Sequence, residues 1–283
     1  MKILHIGKYG EISQILKNEA EKRGHQYSNV SPFDISIQYT NKLLIQIQNM
    51  DLLDYDIYLF RGIKRNIAEI IAMYLQYNNK LVIDNDLAFK KILDFKNIYP
   101  PTENIKLPFI PFILFPTSKD IEDFKYPAIL KDTHGKKGKN VYLVKSSKET
   151  KELIQKNIDI KFMLQEFIQS EKEIRIIFVG DKVIPLGMEK INDNSVIKNI
   201  AKGATGKAYK LNNEEIEIAK KCKTISKLDI GGIDLIKSKD NKYYVLEINR
   251  APVFLEFNVA TGIKIEKEIL DFMETKLSLL KKM

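Results

Sequence analysis

Two stretches late in the chain, GGIDLI at 231–236 and VLEINRAP at 245–252, place acids and an amide inside runs that otherwise read as buried strand. A strand turns successive side chains to opposite faces, so Glu247 and Asn249 share one face; strict alternation adds Val245 to that face and packs Leu246 and Ile248 behind it. The short turn KSKDN between the stretches returns the chain antiparallel and brings Asp234 onto the face of Glu247 and Asn249. Three oxygen ligands on adjoining strands, with no His or Cys among them, suit Mg2+, a hard cation that takes carboxylates together with substrate phosphates. This hairpin constrains the fold more than any other feature, because buried acids on paired strands call for a sheet with one face turned toward a site.

Upstream, MKILHI reads as a buried first strand, and EISQILKNEAEKRG carries helical spacing through Ile12, Ile15, Leu16 and Ala20 up to Gly24. DIYLFRGI and KLVIDN are further buried strands around a helix near AEIIAMYLQYNN, so residues 1–85 form an α/β unit with a mainly parallel sheet. No G-x-G-x-x-G follows the first strand, which leaves a dinucleotide-binding fold without support. A short helix near 86–97 and the proline-marked PPTENIKLPFIPF open a second unit, 86–164, in which YPAILKD, NVYLVKS and FMLQEFI are strands and KETKELIQKN is a helix. The remainder, 165–283, runs through strands EIRIIFVG and KVIPLGMEK, the helix NEEIEIAKKCKTISKL, the acidic hairpin and a closing amphipathic helix.

A chain of 283 residues, 44% hydrophobic, buries a large core and has room for two or three compact units. It has no apolar run of the roughly 20 residues that a membrane span needs, and MKILHIGKYG lacks the features of a signal peptide, so no membrane partner and a cytoplasmic location are expected. The single Cys222 excludes an intramolecular disulfide and reads as an ordinary helix residue. The net charge of +9 is nearly all lysine, with Arg only at 23, 61, 65, 175 and 250. No basic stripe interleaves with exposed aromatics, so the charge reflects a lysine-rich composition and not nucleic-acid binding. Of three histidines, His134 is read as a solvent-exposed loop residue, His5 as a satisfied core residue and His25 as a turn residue, too few for a Ser/His/Asp or Cys/His constellation.

The stretch YPAILKDTHGKKGKNV delivers Lys131 on a buried strand and then a loop with Gly135, Lys136, Lys137, Gly138 and Lys139. Glycines admit a close backbone approach to an anion, and amides with nearby ammonium groups make a phosphate cradle; a solvated, lysine-rich hairpin loop explains the same residues equally well. The loop lacks the Gly-Lys-Ser/Thr ending of a Walker loop.

Lys131 with HGKKGKNV, LQEFI followed by EIR, KNIAKGATG, GGIDLI and VLEINRAP, in that order and over nearly the whole chain, resemble the ATP-grasp superfamily and, within it, the RimK-like amino-acid (glutamate) ligases. The resemblance implies an N-terminal α/β pre-ATP-grasp domain and two α+β subdomains clasping ATP. It assigns Lys131 to the α/β-phosphates of ATP, residues 135–139 to the loop over the triphosphate, and Gln165, Glu166, Phe167 and Ile168 to the adenine hinge. Glu173 takes the place of a ribose-binding Asp. Asp234, Glu247 and Asn249 match the Mg2+ ligands, with Mn2+ as an alternative metal. Lys190 and Lys202 stand at arginine positions bearing on phosphate and substrate, Asn199 is retained, and Ile197 replaces an arginine; lysine keeps the charge without the bidentate fork. Lys96 falls where an earlier ATP-binding lysine is expected, with Lys90 and Lys91 as alternatives. Arg61, at a strand end, faces substrate or terminal phosphate, Arg250 is assigned to acyl-phosphate or substrate carboxylate, and Asn140 takes the place of a third loop glycine.

By this resemblance the chain is an ATP-dependent carboxylate–amine ligase, ADP-forming, that works through an acyl-phosphate and adds an amino acid such as glutamate to a carboxylate-bearing protein, carrier or coenzyme. The basic surface suits an acidic protein or peptide acceptor, and relatives suggest a homodimer or homotetramer. The alternatives are a ligase making a small peptide or peptide natural product, and a non-catalytic ATP-binding module.

Overall fold

The computed structural model describes residues 1–39, 41, 43–47, 52–63, 65–84, 105–135, 139–191 and 206–282. The expected helix near 86–97 lies outside these residues. Three sheets account for most of the fold.

The first comes from β1 (Lys2–Gly7), β2 (Gln26–Val30), β5 (Ile57–Arg61) and β6 (Leu81–Ile83), all parallel in the order β2-β1-β5-β6. Parallel strands need crossovers, which α1 (Glu11–Lys22) and α2 (Arg65–Tyr77) supply. Between β2 and β5 the chain adds a hairpin that the sequence pattern did not reveal, β3 (Ile35–Tyr39) and β4 (Leu43–Ile47). Strand alternation divides the parallel sheet cleanly: Leu4, Ile6, Tyr58, Phe60 and Val82 pack with α2, whereas Ile3, Tyr27, Ile57, Leu59 and Ile83 face the C-terminal part of the chain.

The central sheet is antiparallel in the order β7-β10-β8-β9, built from β7 (Phe112–Leu114), β8 (Ala128–Asp132), β9 (Val141–Val144) and β10 (Phe162–Glu166). Its helices, α3 (Ser118–Asp123) and α4 (Ser147–Lys156), start where Thr117 and Ser146 accept the backbone N–H of Asp120 and Glu149. The division expected between residues 164 and 165 falls inside β10, whose five residues all pair in this sheet.

The C-terminal sheet runs β14-β13-β11-β15-β16 through β11 (Ser170–Val179), β13 (Leu186–Lys190), β14 (Gly206–Lys210), β15 (Ile230–Ser238) and β16 (Tyr243–Arg250), with β12 (Lys182–Val183) paired to β11. The run KVIPLGMEK, read as one strand, is two, broken at Ile184–Pro185 because proline has no N–H for a ladder. One face carries Ile233, Leu235, Val245 and Ile248 against α5 (Asn213–Ser226), where Cys222 is buried as an ordinary core residue. Asn212 caps α5 in a reciprocal box, its side chain accepting from Glu215 N at 2.9 Å while the Glu215 carboxylate accepts from Asn212 N at 2.8 Å.

The chain then closes with α6 (Leu255–Thr261) and α7 (Ile265–Leu280). Phe254, Phe257, Ile265, Ile269 and Met273 fill one core together with Ile3 and Leu59 of the N-terminal sheet, Leu16 of α1, and Ile177 and Ile230 of the C-terminal sheet. The first and third sheets therefore share their hydrophobic interior. No helix among the described residues is long and apolar enough to cross a membrane.

Candidate active site

On the hairpin that opened the sequence reading, Asp234 pairs directly with Glu247, and Gly232 with Asn249. The three expected ligands therefore do lie on one face. Val245 does not join them: the register shifts between Asp234 and Leu235, so that Val245 pairs with Leu235 and belongs to the buried core with Ile248. A β-bulge inserts one extra residue, here Leu246, and inverts the alternation beyond it. Gly232 is required opposite Asn249, because a Cβ there would lie 2.7 Å from the Pro252 ring that folds back over the sheet.

The face is crowded with charge. Arg175, directly opposite Asp234 on β11, donates from Nε and Nη2 to the two carboxylate oxygens, each at 2.8 Å, a bidentate pair. Lys190 approaches Asp234 at 3.3 Å and donates to Glu173. Burial opposes ionisation of Asp234, but Lys190 and Arg175 outweigh it and hold the carboxyl well below the usual range. Arg175 is raised chiefly by the Asp234 charge, and Lys190 is raised by Asp234 and Glu173 in spite of burial. Glu247 behaves oppositely: burial first and the neighbouring Asp234 charge second push it up, while the hydrogen bond that Asn249 Nδ2 donates to its Oε1 at 2.9 Å pulls it down.

Glu247 also feels Lys131, which arrives from the central sheet. Ile129, Lys131, Met163 and Gln165 share the face of β8 and β10 away from the Leu130–Leu164 core, and Lys131 Nζ donates to Gln165 Oε1 at 2.8 Å. A lysine of one sheet thus acts on a carboxylate of the next, and Glu166, Phe167 and Ile168, which follow Gln165 in the chain, are all half-buried. Asp132 secures the start and end of the loop after β8: it accepts from His134 N at 2.8 Å and from Asn140 Nδ2 at 3.2 Å. Asn140 adopts φ +56°, the left-handed conformation for which it stands in place of glycine, and His134 is exposed.

The structure thus links Lys131, Gln165, Glu173, Lys190, Asp234, Glu247 and Asn249 in one network of contacts and charges, with Gly135 on the loop that follows Lys131. Glu173, expected at a ribose, has its carboxylate committed to Lys190. Arg61 and Arg250 lie elsewhere, at the junction with the N-terminal sheet: Arg61 Nη2 donates to the carbonyls of Ala251 and Pro252 at 3.0 and 2.6 Å, and Arg250 Nη1 donates to the Phe60 carbonyl at 3.2 Å. Lys90, Lys91, Lys96, Lys136, Lys137, Gly138, Ile197, Asn199 and Lys202 lie outside the described residues. Arg175 was missed by sequence reasoning. The signal was present in EIR, an arginine among apolar strand residues, but its partner emerges only from the β11–β15 register.

An all-oxygen donor set fits a hard divalent cation: Asp234 is ionised, Glu247 lies beside it with its proton affinity raised by that charge, and Asn249 completes the face. No three His, Cys, Asp or Glu side chains cluster with metal-site geometry among the described residues, so the set depends on the Asn249 amide.

The three-sheet arrangement is that of an ATP-grasp enzyme. It matches the ATP-grasp ligase PsnB complexed with minimal precursor, Mg and ADP at a TM-score of 0.74 and 13% identity, covering 97% of each chain. A model of the RimK-like ATP-grasp domain matches residues 104–273, and the chain belongs to that family. A probable alpha-L-glutamate ligase of Histophilus somni (strain 2336) is 26% identical over 92% of this chain and 93% of its own length. The alpha-aminoadipate–LysW ligase LysX of Saccharolobus solfataricus is 28% identical over 90% of this chain and 94% of its own. The protein is an ATP-grasp ligase that forms an amide bond between a carboxylate and an amine at the expense of ATP.

Proposed function

We propose that the chain phosphorylates a substrate carboxylate and then joins it to an amino acid of the glutamate or aminoadipate type. In the first step a carboxylate oxygen attacks the γ-phosphorus of ATP, the bond to the β,γ-bridging oxygen breaks, and ADP leaves with that electron pair. In the second an amine attacks the acyl carbon, inorganic phosphate departs, and the amine proton passes to solvent. No side-chain nucleophile is needed; the contribution of the protein is position and charge.

Lys131 from the central sheet and Lys190, which already holds Glu173 and Asp234 on the C-terminal sheet, are the lysines that bear on phosphate charge in this reading. Asp234, Glu247 and Asn249 would hold Mg2+, which when bound neutralises phosphate oxygens. Arg175 keeps Asp234 oriented, and the half-buried 166–168 segment is assigned to the adenine, as the family resemblance implies. The observation that carries this reading is the acid pair of two adjacent strands facing Lys131 of another sheet. Names of the relatives, a glutamate ligase and an aminoadipate ligase with a protein acceptor, support an amino diacid and a carboxylate-bearing polypeptide or carrier. A cytoplasmic setting, where ATP and Mg2+ are supplied, suits the reaction.

The test is ADP release with Mg2+ and, separately, Mn2+, against the amino acids singly and in pairs and against acidic peptides. Release that requires both a carboxylate and an amine supports the reading. ATP binding with no release in any mixture would overturn it in favour of a nucleotide-binding module.

A further inference from the structure

Where Ile83 ends β6, the next residue carries a buried carboxylate that the site described above does not use. Asp84 is 2% exposed, and its φ of +56° is the left-handed conformation that Asp and Asn tolerate better than other side chains. Ile83 pairs with Leu59, so Asp84 stands level with Phe60 at the carboxyl edge of the N-terminal sheet. From there it joins a segment 145 residues on. Asp84 Oδ1 accepts the backbone N–H of Asp229 at 2.8 Å and of Ile230 at 3.3 Å, while the Asp84 N–H donates to Asp229 Oδ2 at 2.9 Å. Buried N–H groups at the mouth of a strand need partners, and many local turns supply them. Here a side chain at the edge of another sheet satisfies two and receives a bond in return.

The clasp sits close to the acidic hairpin. β15 begins at Ile230, and Asp234 lies four residues further, about 13 Å along the strand. Little slack separates them. A Cβ on Gly231 would lie 2.1 Å from the Phe178 ring and one on Gly232 2.7 Å from the Pro252 ring, so the two glycines are held between rings on opposite faces. Gly231 pairs with Arg250, Gly232 with Asn249 and Asp234 with Glu247, so the clasped end of the hairpin adjoins the oxygen set. A second link lies alongside. Arg61 donates to the Ala251 and Pro252 carbonyls and Arg250 to the Phe60 carbonyl, an exchange of arginines between the two sheets. Packing this close passes a displacement on instead of absorbing it.

The clasp is not what keeps Asp229 in the fold. Lys276 of α7 donates to both Asp229 carboxylate oxygens at 2.8 Å, the Asp229 carbonyl accepts from Gly180 N at 2.7 Å, and Ile230 belongs to the core shared by the two sheets. Without the Asp84 side chain the start of β15 stays attached, but it is no longer referenced to the N-terminal sheet.

We propose that Asp84 is a positioning residue for the metal-facing hairpin. β15 through Asp84, and β16 through the arginine exchange, are referenced to one edge of the N-terminal sheet, which sets the placement of Asp234 against Glu247 and Asn249. The inference rests on the reading of those three residues as the metal set.

Two variants of the full chain test it. Asp84→Gly keeps the left-handed backbone and deletes the acceptor, whereas Asp84→Asn keeps both, since an amide oxygen accepts the same two N–H groups. In metal-free protein, the amides of Asp229 and Ile230 are expected to exchange hydrogen faster in Asp84→Gly and near the wild-type rate in Asp84→Asn. Mn2+ in the presence of ADP, followed by electron paramagnetic resonance, is expected to bind Asp84→Gly about tenfold more weakly. In the same variant kcat for ADP release should fall about tenfold to a hundredfold with KM for the amino acid unchanged, and Asp84→Asn should recover both constants to within about threefold. Ile71→Val, buried on the α2 face of the N-terminal sheet, costs stability without touching the clasp and should change neither. Mn2+ affinity and kcat of Asp84→Gly within about twofold of wild type, or an equal loss in Asp84→Asn or Ile71→Val, would overturn the inference. Should Asp84→Gly fail to fold, Asp84→Glu decides: it keeps the charge and moves the acceptor by one methylene, and wild-type Mn2+ affinity there sinks the positional role. Wild type that holds no Mn2+ beside ADP removes the metal reading and the inference with it; Mn2+ held equally by wild type and Asp84→Gly removes the inference alone.

Discussion

Asp234 and Arg61 are both charged, both almost withdrawn from water, and about equally deep in the fold, yet their surroundings differ. Asp234 is met by the Arg175 fork and by Lys190, which in turn holds Glu173, so the C-terminal sheet carries an internally balanced set of charges. Arg61 meets two carbonyls and an aromatic ring, and among the described residues it forms no ion pair. A buried charge in a low-dielectric setting is tolerable only when something balances it. Where the protein supplies the balance, both partners stay charged; where it does not, burial lowers the proton affinity of the group itself, as for Arg61, held down to about 10.

The contrast can be tested at several strengths. Glu247→Gln removes a metal-facing charge without removing a structural partner, because burial and Asp234 already disfavour that charge. Turnover should fall about a thousandfold or more, with the thermal midpoint unchanged or raised, as followed by ADP release and calorimetry. Retained activity would remove the metal assignment. Arg175→Ala leaves Asp234 short of its bidentate partner and should lower the unfolding free energy by about 3–5 kcal/mol in urea titration. A loss below about 1 kcal/mol would show that the balance is not built as described.

Asp84 lies on the border between the two regions, and burial, with Asp229 next, raises it to about 6. A native-state value above the unfolded one means that the folded protein binds the proton more tightly. Stability should therefore grow as pH falls from above about 6 toward the ordinary carboxylate value, by on the order of 3 kcal/mol over the window, and the gain should vanish in Asp84→Asn. Asp234 works in the other direction, its contribution being lost only at far lower pH as it finally protonates. Thermal midpoints across that range for both proteins separate the two. As the weakest case, Lys182 and Glu268 pair at 2.7 Å on the surface, and Lys182→Ala should change the unfolding free energy by less than about 1 kcal/mol.

Much of this was legible in the residues. Apolar runs such as MKILHI and the 3.6-residue spacing of EISQILKNEAEK fix their elements locally, and the acids of GGIDLI and VLEIN were conspicuous because strand interiors seldom carry charge. Short edge strands were not legible: β14, GKAYK, has little apolar content and becomes a strand by pairing with β13. Nor could alternation foresee the bulge at Leu246, which depends on how β15 and β16 twist together. Arg175 and the orphaned nitrogen of His5 escaped for one reason. Each is defined by what a strand distant in sequence places, or fails to place, opposite it; His5 is satisfied at Nδ1 and unsatisfied at Nε2, a distinction no linear pattern carries.

The shared interior of the first and third sheets also bears on how the chain is strung. Arg23 reaches Asp271 at 2.6 Å, His25 reaches Glu274 at 2.7 Å, and the terminal amine of Met1 lies 3.3 Å from His25 Nδ1, so the beginning of the chain is stitched to its last long helix. Topologically the central sheet is then an insertion between two sheets that share one core. Clipping off the final helix would strip the N-terminal sheet of its lining, although the two are separated by most of the sequence.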